Sequence, residues 1–308
     1  MKDKLYWEEI EGVKNLNAEL MRSRSSIKFL IENFFGIKAV RYYKYLRARK
    51  RLIETAKEQK LRELKNGQMQ ECSKVAIIFL GCKDYIKYFP KFYGTLEGMF
   101  LPNTPKDFFV FTDMIDYPYL KGKNNVKTIK IKFVNNAFAS LFRFKRLVSI
   151  SETLKNYSHV FYIDADVYAH SFIYEKDFFC HDKSLFSVIH PSFLVKPAQF
   201  EFNPKSTAAL TKEDDLSVYR QCGFWGGITS EVLNMCKEID KNIIQDLKNK
   251  IIAVWLDESH LNKYMVKNAE KVYTYDSSYL YVGVWSVPEG YVRKLIHDKG
   301  DIVKSHPH

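Results

Sequence analysis

Val75-Ala76-Ile77-Ile78-Phe79-Leu80 is an unbroken apolar run. A short run of this kind reads as a strand buried on both faces, the habit of parallel sheets covered by helices. Outward from it, Asp107-Phe108-Phe109-Val110-Phe111-Thr112-Asp113 is a second such run, and His159 to Ile163 is a third. Val126 to Phe133 alternates as a half-buried strand would. Between the first two runs, Tyr85 to Phe100 carries aromatics at roughly helical spacing, with Pro90 near a helix start or at a kink, and Phe142 to Leu154 is a further helical pattern. The resulting order, β-α-β-β-α-β, predicts an α/β fold with a mostly parallel sheet and helices on its faces.

Composition sets the outer bounds. Of 308 residues 46% are apolar, and 23 Phe with 20 Tyr supply most of the aromatics, which is ample for a large core and excludes a disordered chain. Lys and Arg exceed Asp and Glu by 48 to 36, giving a charge of +12 that suits nucleic acid, an anionic membrane or a phosphorylated small molecule without choosing among them. Residues 1–72 hold 17 basic and 10 acidic groups, hence +7 of the +12, and no proline. Ile27 to Phe35 and Val40 to Leu64 have helical patterns there. The chain therefore divides into a basic helical extension, 1–72, and a main domain, 73–308. The extension reads equally as a solvated helix packed on that domain or as a patch that sits on anionic lipid headgroups.

Five cysteines, odd in number and without a Cys-x-x-Cys pair, point to free thiols in a reducing compartment and away from a disulfide framework or zinc ribbon. The start, MKDKLYWEEIEG, has no apolar core behind its charges, and no apolar stretch approaches the ~18 residues of a membrane span. A cytoplasmic protein is expected.

Three local features carry chemistry. In Val160-Phe161-Tyr162-Ile163-Asp164-Ala165-Asp166-Val167 a buried strand ends in two acids at i and i+2, a spacing that turns both to one side if the chain stays extended. Two carboxylates so close repel unless a cation compensates them, and hard oxygen ligands suit Mg²⁺ or Mn²⁺ bridging to a diphosphate. The end of a sheet strand is also where open α/β folds bind ligands. A turn or helix cap made of Asp residues is the competing reading. Gly223-Phe224-Trp225-Gly226-Gly227 offers an aromatic wall beside a glycine floor, a sugar pocket, or else a buried bend in a strand. In Val254-Trp255-Leu256-Asp257-Glu258-Ser259-His260-Leu261-Asn262-Lys263-Tyr264, Asp257 reads as a helix cap, Glu258 and Asn262 share a face, and Trp255 with Asp257 can perturb the Glu258 carboxyl.

Together these segments resemble a known family. Trp255 to Tyr264 is similar to the Trp-His-Asp-Glu-Ser-His-Leu-Asn-Lys-Tyr signature of glycosyltransferase family 6, which includes the histo-blood-group A and B transferases and the α1,3-galactosyltransferases. Lys83 to Phe100, Phe109 to Asp113, Arg143, Asp164 to Asp166, His190-Pro191, Gly223 to Gly227 and Lys304-Ser305-His306 fall in the family's order, so the resemblance covers roughly residues 74 to 306. It implies a GT-A fold and a retaining transfer of Gal or GalNAc from the UDP-sugar, usually with Mn²⁺, to the 3-hydroxyl of an acceptor galactose. By position it gives Asp164 and Asp166 the metal (Mn²⁺ or Mg²⁺) and diphosphate. Leu80, Cys82 and Tyr85 would surround the uridine, Arg143 would support the donor site, and Lys304 would meet the diphosphate. Gln221 and Gly223 would border the donor's C2 substituent. His190, Trp255 and Glu258 would face the acceptor and anomeric carbon, with Glu258 as the catalytic carboxylate and Asp257 as a further substrate-binding residue.

This chain departs from the family at Leu256, which replaces a His, and at Val282, which replaces an acceptor-contacting Asp of the animal enzymes. It keeps both Asp residues where many bacterial members have Asn-x-Asn, so metal dependence is expected. Gly223 leaves room for an N-acetyl group, which favours UDP-GalNAc over UDP-Gal. A lipid-linked or lipopolysaccharide glycan ending in galactose, fucosylated or not, at the inner membrane face is the expected acceptor. A reading of another class is a non-catalytic basic module for membrane or nucleic acid; the retained Asp pair and Glu258 speak against it, and no nucleic-acid partner is expected.

Overall fold

The computed structural model describes residues 72–133, 135–179, 181–191, 199–282 and 292–298. The expected helical extension, except its last residue, and Lys304 lie outside the described residues. The expected first strand, β1 (Val75–Leu80), lies inside the sheet, with β2 (Lys106–Thr112) and β4 (His159–Ile163) parallel to it on either side. Outside β2 runs β3 (Val126–Lys130), also parallel and shorter than its alternating pattern suggested. Beyond β4 come β7 (Arg220–Ile228), β6 (Leu185–Ile189) and β8 (Val272–Tyr275), giving the order β3-β2-β1-β4-β7-β6-β8. Only β7 runs against its neighbours, so the sheet is mostly parallel as expected.

Alternate residues of β1 serve opposite faces. Val75, Ile77 and Phe79 pack with Phe89, Phe92 and Leu96 of α1 (Phe89–Met99). Phe79 meets Phe89 edge-on at 5.2 Å, one of the favoured aromatic geometries. Ala76 and Ile78 join the other cluster with Phe144 and Leu147, and with Val232 and Ile239. Pro90 sits in the first turn of α1, where its missing N–H belongs to the groups a helix leaves unpaired anyway. On the opposite face, α2 (Asn136–Leu141) is capped by Asn135, whose side chain accepts from the Phe138 N–H. The helix expected over 142–154 is two pieces, α3 (Arg143–Ser149) and α4 (Ser151–Leu154), because Ile150 leaves the helical region with φ −119° and ψ 20°. The long α5 (Thr229–Lys248) and α6 (Leu256–Lys267) complete that face. Among the described residues no helix is long and apolar enough to cross a membrane.

Of the two readings of the glycine segment, the buried strand is the one the fold bears out. Phe224 and Trp225 are fully buried core residues. A Cβ on Gly226 would lie 2.2 Å from the Val160 carbonyl oxygen, and one on Gly227, whose φ is +146°, would lie 2.1 Å from that of Ser184. Both glycines therefore permit backbone packing within the sheet, and only Gly223 reaches the end of β4. The sequence pattern did not predict a second, three-stranded sheet of β5 (Val167–Ala169), β10 (Leu295–His297) and β9 (Tyr281–Val282). Val282 is buried there, paired with His297 across the strands.

Candidate active site

The two acids after β4 do not remain extended: the Val167 N–H returns to the Asp164 carbonyl at 3.1 Å, closing a turn through Ala165 and Asp166. They still converge. Asp164 Oδ1 accepts from the Tyr162 hydroxyl at 2.9 Å and from Arg143 Nη1 at 3.0 Å. Asp166 is buried, with Oδ1 2.8 Å from His297 Nε2, and that nitrogen lies 3.8 Å from Asp164 Oδ2. One donor atom from each of Asp164, Asp166 and His297 falls within 4.8 Å of the others. Two carboxylates and an imidazole so placed fit a divalent cation such as Mn²⁺.

Gly223 is part of this geometry. A Cβ there would lie 2.8 Å from Asp164 Oδ2 and 2.8 Å from Leu280 Cδ2. The space beside Gly223 thus holds the Asp164 carboxylate, which qualifies the expectation that it is open room for a substituent. Because Tyr162 and Arg143 pin Asp164, Gly223→Ala would displace the carboxylate only by loosening those bonds. The variant is expected to bind Mn²⁺ about 10-fold more weakly, read by calorimetric titration; unchanged affinity would contradict the crowding argument.

Arg143, at the start of α3, is 6% exposed and ties the site together. Its Nε pairs with Asp257 at 2.7 Å, its Nη1 also donates to the Cys222 carbonyl at 2.8 Å, and its guanidinium carbon lies 4.8 Å from the Tyr162 ring centroid. Burial opposes its charge, but Asp257 and its other neighbours outweigh burial and keep Arg143 protonated. Asp257 accepts from the Cys222 thiol at 3.1 Å as well. Burial pushes the Asp257 carboxyl up to about 6 against the pull of Arg143, so it is charged at neutral pH. Asp257 is therefore not the expected helix cap: Trp255 occupies that position without a side-chain cap bond, and Asp257 is the buried counterion of Arg143.

Glu258 sits one residue further along α6. Its Oε1 accepts from the Tyr219 hydroxyl at 2.8 Å and its Oε2 from the Cys222 N–H at 2.9 Å. Burial raises its pKa while those two bonds oppose the rise. Burial, then the adjacent Glu258 charge, pushes the Tyr219 phenol up, so Tyr219 stays a donor. Asn262, one turn on, accepts from the Arg220 N–H at 2.9 Å and donates to the Arg220 carbonyl at 2.7 Å, which docks α6 onto the start of β7. His260 turns away to within 3.7 Å of Asp246, and burial lowers its pKa to about 4, leaving it neutral.

The β1–β4 register, with Ile78 beside Tyr162, brings Leu80 and Asp164 to adjacent strand ends. Cys82 follows, buried, its thiol pushed up to about 11 by burial and then by Asp113; Tyr85 is half-buried with its ring 5.9 Å from Tyr88. Gln221 donates to the Leu280 carbonyl at 2.9 Å. The His190 N–H donates to the Tyr219 carbonyl at 2.8 Å, and its ring lies 5.9 Å from the Tyr219 ring. Trp255 is 46% exposed, beside Leu256, whose φ of +50° is left-handed and costly for a branched side chain. Sequence reasoning missed Tyr219, Cys222 and His297 as members of the site. Cys222 has one local sign, its place between Gln221 and Gly223, and His297 ends a short apolar stretch, Leu295-Ile296-His297.

A model of glycosyltransferase family 6 matches residues 54–285. The chain belongs to glycosyltransferase family 6. Its seven-stranded sheet with helices on both faces is the GT-A arrangement expected of a nucleotide-sugar transferase of that family. Similar proteins include the O-antigen biosynthesis glycosyltransferase WbnI of Escherichia coli, 27% identical over 70% of this chain and 89% of WbnI. The histo-blood group ABO system transferase 1 of Rattus norvegicus is 26% identical over 62% of this chain and 56% of its own length. The globoside α-1,3-N-acetylgalactosaminyltransferase 1 of Gallus gallus is 24% identical over 59% and 54%. The match thus spans just over half of those animal relatives and most of the bacterial one.

Proposed function

We propose that this family 6 enzyme is a metal-dependent, retaining transferase that moves GalNAc, with Gal as the alternative, from its UDP conjugate in α1,3 linkage to a galactose-terminated glycan. The observation that carries the reading is the Arg143 network, which joins the Asp164–Asp166 turn to the Asp257-Glu258 pair. A divalent cation, when bound, neutralises charge developing on a departing diphosphate. Asp164 and Asp166 are the residues that hold it. Arg143 already has Asp164, Asp257 and the Cys222 carbonyl as partners, so its role is to position Asp164 rather than to grip the nucleotide. Leu80, Cys82 and Tyr85, at the end of β1, line the uridine side, and Lys304 meets the diphosphate.

Glu258 supplies the negative charge for the anomeric carbon. A retaining transfer needs a carboxylate on that face, to attack or to stabilise an oxocarbenium-like centre. Tyr219 and the Cys222 N–H fix its orientation, and both donate, which favours the ionised form. His190 and Trp255 border the acceptor, Gln221 and Gly223 the donor's C2 substituent. The names of the globoside transferases favour GalNAc. The basic extension is read as a contact with anionic lipid headgroups on the cytoplasmic side, near a lipid-linked acceptor of the O-antigen kind suggested by WbnI.

UDP release is the test. With a galactose-terminated acceptor and Mn²⁺, UDP-GalNAc is expected to turn over faster than UDP-Gal, and EDTA to abolish both rates. Full activity in EDTA would overturn the metal requirement; absence of turnover with either donor across an acceptor screen would overturn the transfer reaction as stated.

A further inference from the structure

We propose that His297 is the third protein ligand of the divalent cation and that it lets the site hold the cation without nucleotide. The inference rests on the reading of Asp164 and Asp166 as the cation site. Its own ground is geometric. At metal–ligand bonds of ~2.1 Å, donor atoms on one octahedral ion are about 3.0 Å apart when adjacent and about 4.2 Å apart when opposite. His297 Nε2 stands 3.8 Å from Asp164 Oδ2, between those values, and 2.8 Å from Asp166 Oδ1, just under the adjacent-donor distance. The imidazole does not reach the turn by chance of a mobile side chain. β10 is hydrogen-bonded antiparallel to β5, with His297 directly opposite Val167, the residue after Asp166. The Asp298 N–H then donates to the Asp166 carbonyl at 2.7 Å, fixing the chain immediately beyond it.

Without metal, the His297–Asp166 contact is a hydrogen bond, and a cation takes the place of the proton those two atoms share. Two carboxylates alone usually leave a Mg²⁺-like ion to be completed by substrate phosphates. A third, nitrogen donor changes both the number of protein ligands and their chemistry. Imidazole binds first-row transition ions better than Mg²⁺, so the set should favour Mn²⁺ over Mg²⁺.

The test uses the full chain with Mn²⁺ as the probe. Electron paramagnetic resonance of bound Mn²⁺ without UDP is expected to show spin-echo modulation from a directly coordinated ¹⁴N, and uniform ¹⁵N labelling of the unaltered protein should change that modulation. In His297→Gln the nitrogen coupling should vanish, Mn²⁺ affinity should fall about 10-fold or more, and Mg²⁺ affinity should fall by less. Labelled wild-type protein keeps the test independent of how the variant folds. Mn²⁺ bound without nitrogen coupling would overturn the role of His297 while leaving the carboxylate site standing, and binding that appears only with UDP would overturn occupancy ahead of nucleotide. Equal loss of Mn²⁺ and Mg²⁺ affinity with the coupling retained would make His297 a hydrogen-bonding support of Asp166 and no ligand. Failure to bind Mn²⁺ with or without UDP would remove the cation site itself.

Discussion

Glu258→Gln is expected to lower sugar transfer by roughly 10²–10⁴-fold while leaving UDP affinity nearly unchanged. The substitution keeps shape and removes charge. The Gln carbonyl can still accept the Cys222 N–H that now reaches Oε2 at 2.9 Å, and the Tyr219 hydroxyl can rotate to accept from the new amide. Only the negative charge facing the reacting centre disappears, which is a loss in the transition state and should appear in kcat. Steady-state kinetics beside a calorimetric UDP titration separates the two. A variant as active as wild type would show that another group carries the reaction; equal damage to UDP binding would mean that Glu258 supports the fold of the site.

Arg143→Met is expected to be the most damaging single change for stability. It leaves Asp257, 3% exposed, without its counterion at 2.7 Å, and also strips partners from Asp164 and the Cys222 carbonyl. Breaking one side of a buried ion pair typically costs ~3–5 kcal/mol, which for a chain of this size lowers the thermal midpoint by on the order of 10 °C. Charge and packing can be told apart. If an uncompensated carboxylate causes the loss, adding Asp257→Asn should recover part of the midpoint, because the buried negative charge is then gone. A double variant no more stable than Arg143→Met alone would assign the loss to packing around Tyr162.

The scaffold was legible because its signals are local. Runs such as Val75 to Leu80 and Phe108 to Thr112 state their burial in their own composition, and Pro90 marks the entry to α1 within a residue. The carboxylate pair was legible for the same reason: Asp164 and Asp166 sit two residues apart at a strand end. What remained hidden depends on partners distant in sequence. Asp257 looked like a cap because nothing near it predicts that Arg143 will arrive at its side. Glu258 could be singled out, but Tyr219 could not, since a lone Tyr before a strand has no distinguishing neighbour. Gly223 suggested open space because sequence records the absence of a side chain and not what fills it, here the Asp164 carboxylate. β5, β9 and β10 are two or three residues long, too short for alternation to register.

The pairing of β5 with β10 also sets an order of events during translation. Asp166 and His297 are 131 residues apart, and at ~5–20 residues per second a ribosome takes many seconds to pass from one to the other. Every strand of the large sheet, β8 included, leaves the ribosome before β10 does. A nascent chain at that stage holds every strand of the large sheet, yet the strand that follows the Asp-x-Asp turn still lacks its hydrogen-bonding neighbour, and the core cluster of Val75, Ile77 and Phe79 still lacks Leu295. A chain released before residue 295 would therefore carry the Asp164–Asp166 turn without the strand that pairs with β5 and without the His297 side chain beside Asp166.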